Sequence, residues 1–167
     1  SEILAPATSI DDPKTNVLEI IKPKEDVLTA NKRVIIETPS VTGSINLKGA
    51  ILDDLTLSNY KVSLNENSKN IDLLSPDGTE NPYYIEFGWK ALDGQNAQLP
   101  NLETIWKTDS TILTQENSIR LSWTNDNNIT FIKNFSVDEN YMFSVSQEVI
   151  NNSSSNIEIY PYRLIKR

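Results

Sequence analysis

The 167-residue sequence contains neither cysteine nor histidine. Without cysteine, the chain has no disulfide framework, no thiolate nucleophile and no cysteine-based zinc site. Without histidine, it has no Ser-His-Asp triad, no imidazole acid–base catalyst and no histidine-ligated metal. Catalysis would have to depend on carboxylates, lysine, tyrosine or a metal bound by oxygen atoms. These two absences leave the sequence with no evident active site.

Long hydrophobic runs are absent as well. The longest uninterrupted aliphatic runs, at residues 34–36 and 50–52, are three residues each, whereas a transmembrane helix needs about 20 apolar residues. The first residues, 1–4, lack the basic and apolar regions of a signal peptide. The sequence therefore indicates either a cytosolic protein or one whose targeting segment lies outside these residues.

The charge balance is acidic, with 23 Asp and Glu against 15 Lys and Arg, a net charge of −8. A nucleic-acid-binding protein needs a dense basic patch for the phosphates, so nucleic acid is not expected as a partner. The basic tail at residues 163–167 carries only three positive charges. The length fits one domain, and 38% apolar with 23% charged residues is ordinary globular composition.

Residues 1–32 differ from the rest of the chain. Prolines recur there, no alternation of apolar and polar residues holds, and charges of both signs are mixed. A helix start is indicated at Asp12-Pro13, with Asp as the cap and Pro at the first helical position. A second short turn is predicted over residues 24–30. We interpret residues 1–32 as a linker that can dock on the following domain.

From Arg33 onward the apolar residues recur with a period of two, which is typical of β-strands. The clearest signal is a hairpin, in which residues 119–123 and 129–137 flank the turn sequence TNDNN at 124–128. A third alternating run covers residues 141–149. Further short runs between turn signals lie at 34–38, 41–47, 50–57, 71–74, 83–89, 105–107 and 157–164. The pattern predicts an antiparallel β-sandwich over residues 33–167, with more than half of them in strands.

The alternation also predicts particular positions. Six apolar residues on one side of adjacent strands are expected in the core: Ile119, Leu121, Trp123, Phe131, Phe143 and Val145. Pro161 has no N–H to give to a neighbouring strand, so we expect it at a sheet edge, a strand end or a bulge. The Tyr160–Pro161 bond has a raised chance of being cis.

Several acidic residues are candidate sites. Asp53-Asp54 lies in a predicted strand, so the two carboxylates should point to opposite faces, one to solvent and the other to a turn or a basic group. The Asn125–Asn128 stretch lacks the residue spacing of a calcium loop, and a hairpin tip needs such residues in any case. Turn chemistry explains four other aspartates, Asp77, Asp93, Asp126 and Asp138. No catalytic, cofactor-binding or metal-binding residue is predicted.

Aromatic side chains cluster in sequence at Tyr83, Tyr84, Phe87, Trp89, Trp106 and Trp123. Stacked on a concave sheet they would bind sugar rings or an apolar segment, but a core role is favoured for most of them. Glycosylation sequons such as those at 128–130 and 134–136 are expected by chance in a chain with 19 Asn.

Three stretches carry a resemblance to a known family. They are residues 38–55 (TPSVTGSINLKGAILDDL), residues 83–89 (YYIEFGW) and residues 119–167, which include NFSVDENYMFSVSQEV and YPYRLIKR. The blocks Gly-Ser-Ile-x-Leu-x-Gly-Ala and Val-Asp-x-Asn-Tyr-Met-Phe are the more specific parts. These stretches resemble the large periplasmic domain of the YidC-type membrane protein insertase of Gram-negative bacteria. Residues 1–32 would then match the variable linker after the first membrane helix, which is absent here.

The resemblance implies an all-β, antiparallel β-supersandwich similar to galactose mutarotases and sugar-binding domains. It also implies that the insertion chemistry belongs to later membrane helices, so that residues 33–167 form a non-catalytic docking or scaffolding domain without a cofactor. The implied location is the periplasmic side of the inner membrane. The implied partners are SecDF, the SecYEG translocon and substrate membrane proteins. The resemblance assigns no partner-binding residue to this sequence.

Two other functions stay open. A carbohydrate-binding β-sandwich would use aromatic rings and carboxylates, although mutarotase-like catalysis needs a histidine that this chain lacks. An acidic sandwich would also serve as a surface adhesin or filament module. One membrane helix upstream and several downstream in the full-length protein would favour the insertase.

Overall fold

The computed structural model describes residues 20–167. Eleven strands form in this part of the chain, most of them from alternating apolar residues, and one short helix precedes them. In chain order the elements are α1 (Lys24–Thr29), β1 (Arg33–Glu37), β2 (Val41–Asn46), β3 (Ile51–Lys61), β4 (Asn70–Leu74), β5 (Tyr84–Ala91), β6 (Lys107–Thr108), β7 (Ile112–Leu113), β8 (Ser118–Thr124), β9 (Ile129–Val137), β10 (Phe143–Asn151) and β11 (Ile159–Lys166). Strands cover more than half of residues 33–167, as the alternation predicted.

The strands form two sheets. One has seven strands in the order β11-β5-β3-β2-β1-β7, with β4 paired to β3, and the other has four in the order β10-β9-β8-β6. Every pairing is antiparallel except the short parallel contact between β1 and β7. Phe87 of β5 meets Phe135 of β9 edge to face at 5.9 Å between ring centroids. The all-β antiparallel sandwich is confirmed.

The core lies between the sheets. Of the predicted core residues, Ile119, Leu121 and Phe131 are at most 1% exposed. The other three, Trp123, Phe143 and Val145, pack against the core but are only half-buried. These three therefore lie at the margin of the core. For Phe143 and Val145 the reason is that β10 is the outer strand of its sheet, so its inward side chains have neighbours on one side only.

The hairpin of β8 and β9 matches the predicted one closely. Its tip is ordered by Asn125, whose Oδ1 accepts hydrogen bonds from the N–H groups of Asn127 (2.9 Å) and Ile129 (3.0 Å). Asn128 takes the left-handed conformation, with φ of 60°, which asparagine tolerates better than most residues. The residues TNDNN thus form the hairpin turn that the sequence predicted.

Pro161 lies within β11, which is the edge strand of the seven-stranded sheet, so the edge prediction is confirmed. The Tyr160–Pro161 bond is trans, as are the other described peptide bonds.

Ahead of the first strand, α1 occupies the position predicted for a short turn. The chain just before it is held by the Lys22 N–H, which donates to the Gly78 carbonyl at 2.9 Å. The helix start predicted at Asp12-Pro13 lies outside the described residues. Among residues 20–167, no helix has the length and apolar character needed to cross a membrane.

Candidate functional site

The adjacent aspartates of β3 are placed by a β-bulge. Ser44 of β2 pairs with Asp54 whereas Ile45 pairs with Leu52, so Asp53 is an extra residue. Both carboxylates are buried, with Asp53 4% and Asp54 7% exposed. The prediction that they face opposite sides, one towards solvent, is wrong because the bulge interrupts the alternation on which it depended.

Both carboxylates belong to one polar cluster. The Arg33 guanidinium forms an ion pair with Asp53 and donates from Nε to Ser44 Oγ at 2.6 Å. The Ser44 hydroxyl in turn donates to Asp54 Oδ2 at 2.7 Å. Burial raises the pKa of Asp53, against the opposing effect of Arg33. The aspartates are thus tied to a cation and a hydroxyl that neutralise and orient them.

Lys24 of α1 completes this cluster. Its Nζ lies 2.9 Å from Asp54 Oδ1 and 3.0 Å from Asp72 Oδ1. Thr56 Oγ1 also donates to Asp72 at 2.6 Å. Burial raises the pKa of Asp72, but the hydrogen bonds from Thr56 and Lys24 outweigh it and the net pKa is lowered. The cluster fastens α1 to the sheet and leaves no unpaired carboxylate for acid–base chemistry.

The four other aspartates lie in turns, as expected. Asp138 Oδ1 accepts hydrogen bonds from the N–H groups of Asn140 (2.8 Å) and Met142 (2.9 Å). The remaining three occupy turns between strands: Asp77, Asp93 and Asp126. Within residues 20–167, no three Asp or Glu side chains are grouped so as to hold a metal ion.

Most of the aromatic cluster belongs to the core. Phe87, Trp89 and Trp106 are at most 8% exposed. The Trp89 and Trp106 rings stack at 6.3 Å between centroids, and Phe131 meets Trp89 edge to face at 5.1 Å. The core role favoured by the sequence is confirmed for these three rings. They offer no stacking surface to a sugar.

Lys133 of β9 is the residue that sequence reasoning missed. It is 1% exposed, and its Nζ lies 4.7 Å from the ring centroid of Trp106. The ammonium donates to the carbonyls of Gly49 (3.2 Å) and Ala50 (3.3 Å), at the turn before β3. Burial lowers the pKa of Lys133 to about 7, although Glu86 raises it. Lys133 thus joins the two sheets by polar contacts inside an aromatic core.

A signal for Lys133 was present in the sequence. It has the same parity along β9 as Phe131 and Phe135, both fully buried, so alternation alone assigns it to the core side. Gln147 of β10, which pairs with Lys133, likewise has the parity of Val145 and Val149. Two polar residues at core positions of adjacent strands, Lys133 and Gln147, are the sequence signal for this buried contact.

The space beside Lys133 is small. A cavity of about 20 Å³ is lined by Lys133, Trp106, Glu86 and Tyr162, among others, which is room for about one water molecule. Trp106 Nε1 is buried there and has no hydrogen-bond partner among the described residues. A sugar ring does not fit this cavity, so Lys133 has no access to such a substrate.

The outer face of β5 and β11 covers this cavity. Gly88 has no side chain, and the Tyr162 ring fills the vacated position, since a Cβ at Gly88 would lie 2.5 Å from that ring. Glu86 is buried, with its Oε2 at 3.6 Å from Lys166 Nζ. Burial raises the pKa of Tyr162, and Glu86 raises it further. Tyr162 and the Lys166–Glu86 pair therefore close the interior from outside.

The two sheets also meet along one open side, where β10 and β11 are edge strands. Gln147 Nε2 donates to the Gly88 carbonyl at 2.8 Å, and an Arg163 guanidinium nitrogen donates to the Val145 carbonyl at 3.4 Å. The β11 edge, defined as residues 159–167, exposes both apolar and basic side chains. They are Tyr160, Arg163, Leu164, Ile165, Lys166 and Arg167. This edge is the candidate site for binding another chain.

A second surface feature is rich in amides. An open recess of about 530 Å³ lies between the loop after β5, the β8–β9 hairpin tip and the loop before β11. The side-chain amides that line it include Gln95, Asn96, Asn127, Asn128, Asn152 and Asn156. We call it the amide recess.

The sequons at 128–130 and 134–136 differ in their surroundings. Asn128 is exposed at the hairpin tip. Asn134 is half-buried, and its Nδ2 donates to Ser146 Oγ (3.1 Å) and Glu148 Oε1 (2.6 Å). The second asparagine already has protein partners.

Comparison with known proteins gives a consistent result. Residues 33–167 match the family described as YidC periplasmic domain. The chain is 45% identical over 145 residues to a membrane protein insertase YidC of Methylorubrum extorquens, covering 86% of this chain and 23% of that protein. It is 39% identical over 158 residues to the protein of that name in Rickettsia felis, and 40% over 158 residues to that in Rickettsia canadensis. Each of these two matches covers 92% of this chain and 28% of the relative.

The chain thus spans about a quarter of the length of the curated relatives it matches. The matched range begins at the first residue of β1 and includes both sheets. The chain belongs to the family of YidC periplasmic domains.

Proposed function

We propose that this domain is a non-catalytic docking surface of a membrane protein insertase, on the periplasmic side of the inner membrane. The observation that carries the proposal is the match of residues 33–167 to the YidC periplasmic domain. The closed interior supports it, because the most unusual ionisable group, Lys133, is 1% exposed and reaches only a water-sized cavity. Recognition by this domain therefore takes place at its surface.

The proposed partners are components of the translocon, SecDF and SecYEG, and membrane proteins during insertion. The open side bearing the β11 edge is the proposed contact surface, since apolar side chains remain exposed there: Leu164 is 42% and Ile165 60% exposed. Transient contacts of this kind bury less than about 1,200 Å². Residues 1–32 are proposed to link the domain to a membrane helix of the whole protein.

Site-specific crosslinking in the full-length, membrane-anchored protein tests the proposal. A photoreactive amino acid at Ile165 is expected to crosslink to a translocon component. The same probe at Leu64, fully exposed at the β3–β4 turn, is the control for random collision. No partner crosslink above that control from any position of the open side would contradict the proposal. So would aldose epimerase turnover by the purified domain.

Carbohydrate binding is the second candidate, and the amide recess is the observation that favours it. Side-chain amides provide the paired donors and acceptors that sugar hydroxyls require, and the recess of about 530 Å³ is wide enough for a small ligand. The test is a titration with neutral oligosaccharides followed by NMR. Saturable shifts confined to the recess and lost in Asn152→Ala would support this candidate over docking, and unchanged spectra would eliminate it.

A further inference from the structure

We propose that the hairpin between β3 and β4 is an arm that inserts its tip into the surface of a phospholipid bilayer. The arm is defined as residues 59–69. The inference goes beyond the docking surface proposed above, although it rests on the same placement of the domain beside a membrane. Three features carry it: exposed apolar side chains, polar groups that are satisfied within the loop, and the order of side chains from tip to base.

The arm projects from the sheet that carries it. Along β3, contact with the segment before β2 continues as far as Ser58, whose N–H donates to the Ser40 carbonyl at 2.9 Å. Farther along the chain, β4 is the one strand of residues 20–167 that pairs with β3. The Val62 N–H extends this pairing by donating to the Lys69 carbonyl at 3.0 Å. The arm is therefore a two-stranded projection.

Three apolar side chains of the arm face solvent. Tyr60 and Val62 are 54% and 64% exposed, and Leu64 at the tip is fully exposed. No other large apolar side chain in residues 20–167 is as exposed as Leu64. Tyr60 and Val62 lie two residues apart along an extended segment, so their side chains point to the same side. Grouped apolar side chains of this kind mark a surface that interacts with protein or membrane.

Several polar groups of the loop have partners within it. The Ser68 N–H donates to the Asn65 carbonyl at 2.9 Å, and Ser68 Oγ donates to the Ser63 carbonyl at 3.1 Å. Asn65 Oδ1 accepts from the Asn67 N–H at 3.0 Å, and Lys61 Nζ donates to the Ser68 carbonyl at 3.1 Å. Backbone groups with internal partners are less costly to bring into a region poor in water. The loop is thus ordered in a form that tolerates the bilayer surface.

The order of side chains along the arm matches the layers of a bilayer leaflet. Leu64 lies at the tip, and Val62 follows it. Behind them the two sides of the arm carry Tyr60, Lys61 and Lys69. Aliphatic side chains favour the acyl region, whereas tyrosine and lysine favour the level of the headgroups. Shallow insertion of the tip therefore brings each of these groups into the layer that it favours.

The arm stands beside the segment that leads to the membrane in the proposed function. Lys24 of α1 binds Asp72 of β4 at 3.0 Å, and Leu28 of α1 lines one surface groove with Lys69 at the base of the arm. The helix α1 belongs to residues 1–32, which are the proposed link to a membrane helix. A tether of this kind holds the arm at an effective concentration on the order of millimolar, so a weak contact with lipid is sufficient.

Charge contributes little to this contact. Within the arm, the two lysines Lys61 and Lys69 are offset by one carboxylate, that of Glu66 in the turn. The chain as a whole carries −8 and repels anionic headgroups, but salt screens distant charges over about 8 Å. Apolar contact therefore provides the binding, and the hydrated Glu66 keeps the insertion shallow.

Flotation of the 167-residue protein with lipid vesicles tests the proposal. The probes are vesicles of phosphatidylcholine, with and without phosphatidylglycerol, at high lipid concentration. We expect a fraction of the protein to float with both kinds of vesicle, and added salt to change that fraction little. Absence of protein from the floated lipid would overturn the proposal. Binding to the anionic vesicles alone, abolished by salt, would also overturn it, because apolar insertion does not require charge.

Substitutions at exposed positions identify the arm as the contact. Leu64→Gln should lower the partition coefficient about threefold to tenfold, because the apolar burial of one leucine is lost. Val62→Gln should lower it about threefold. Ile105→Gln is the matched control: Ile105 is also 64% exposed but pairs with Lys48 in the turn before β3, and the change should leave binding unaltered. Natural binding by Leu64→Gln, or an equal loss in Ile105→Gln, contradicts insertion of the arm.

Photocrosslinking in the full-length, membrane-anchored protein separates this inference from the docking proposal. A photoreactive amino acid at Leu64 should form adducts with lipid, and the same probe at Ile105 should form few. Protein adducts at Leu64 in place of lipid, from a partner or from a second copy, would overturn lipid contact. With lipid as its neighbour, Leu64 remains a control for protein crosslinks. Docking fails on a different observation, the absence of partner crosslinks from the open side, so the two failures are distinguishable.

Discussion

Lys133 shows how one charged residue is accommodated in an apolar core. Its ammonium lies over the rings of Trp89 and Trp106 and donates to the carbonyls of Gly49 and Ala50. Its pKa is lowered by burial from 10.5 to about 7. Between these values the unfolded chain holds a proton that the folded chain has lost. Stability should therefore rise with pH from about 7 to about 10.5, and below pH 7 the cost of the buried charge is fully present.

Replacing Lys133 by Met should remove this dependence. Met keeps an unbranched apolar side chain of similar length but cannot ionise. Near pH 7, Lys133→Met should melt at a higher temperature than the natural chain. As the pH is raised to 10, this difference in melting temperature should shrink or reverse. Differential scanning fluorimetry across that range measures it. Lys107→Met, at an exposed position, is the control and should keep the natural chain's change of melting temperature with pH. The same change in Lys133→Met would contradict the assignment of the pH dependence to Lys133.

Two phenylalanines on neighbouring strands should differ in their cost of truncation. Phe135 is fully buried and contacts Phe87, so Phe135→Ala should lower the free energy of unfolding by about 3–5 kcal/mol. Phe143 lies half-buried on the edge strand, and Phe143→Ala should cost about half as much, roughly 2 kcal/mol. Urea unfolding of both variants measures the difference. Equal losses would show that the β10 edge is covered in solution.

At the scale of elements, the strands with clear alternation and turn residues were predictable. The β8–β9 hairpin is the best case, because TNDNN supplies both the side-chain acceptor of Asn125 and the left-handed residue Asn128. The strand β7 was not predicted, since two residues, Ile112 and Leu113, show no period and their partner β1 is distant in sequence. The β3 bulge was also invisible, because it depends on the register with β2.

The candidate surface was less predictable than the fold. The sequence showed that Pro161 belongs at an edge, but the phase of β11 depends on its pairing with β5 across all of β6 to β10. The partners of Asp53 and Asp54 likewise come from other elements, Arg33 of β1 and Lys24 of α1. Such long-range pairings leave no local pattern.

The helix α1 should depend on one side chain for its position. Lys24 binds Asp54, Asp72 and the Leu74 carbonyl, the last at 3.1 Å, so Lys24→Met should release α1 and leave Asp54 with fewer partners. We expect faster amide exchange over residues 24–30 and a loss of about 1 kcal/mol in stability. Hydrogen exchange measures the first and urea unfolding the second. Lys22→Met makes the same charge change at an exposed site and should alter neither.

Asp72 gives the same cluster a pH dependence. Its pKa is lowered by Thr56 and Lys24 against the effect of burial. The stabilising contribution of Asp72 is therefore fully present above 3.8, its pKa in the unfolded chain, and is lost as the pH falls through its pKa in the folded chain. In Lys24→Met the pKa of Asp72 should move upward. NMR titration of its carboxyl carbon measures the change, and an unmoved pKa would show that Lys24 does not contact Asp72 in solution.

At the scale of the whole molecule, the interior is held by contacts between sheets rather than arranged for chemistry. We expect the purified chain to show no epimerase or hydrolase turnover, because it has no histidine or cysteine and its one strongly perturbed lysine is enclosed. Treatment with EDTA should leave the melting temperature unchanged. Enzyme assays with aldoses and calorimetry with and without the chelator check both points; turnover, or a melting temperature lowered by EDTA, would contradict them.

The pairing of β11 with β5 has a consequence for the order of folding. β11 joins a sheet that strands from the first half of the chain begin, and five strands, β6 to β10, separate it in sequence from its partner β5. A chain that emerges residue by residue from a ribosome or a translocon therefore cannot form this pairing until residues 159–166 are free. Non-local closure of this kind is slow. During that interval β5 has an open edge on this side, which another strand could occupy before its own partner arrives.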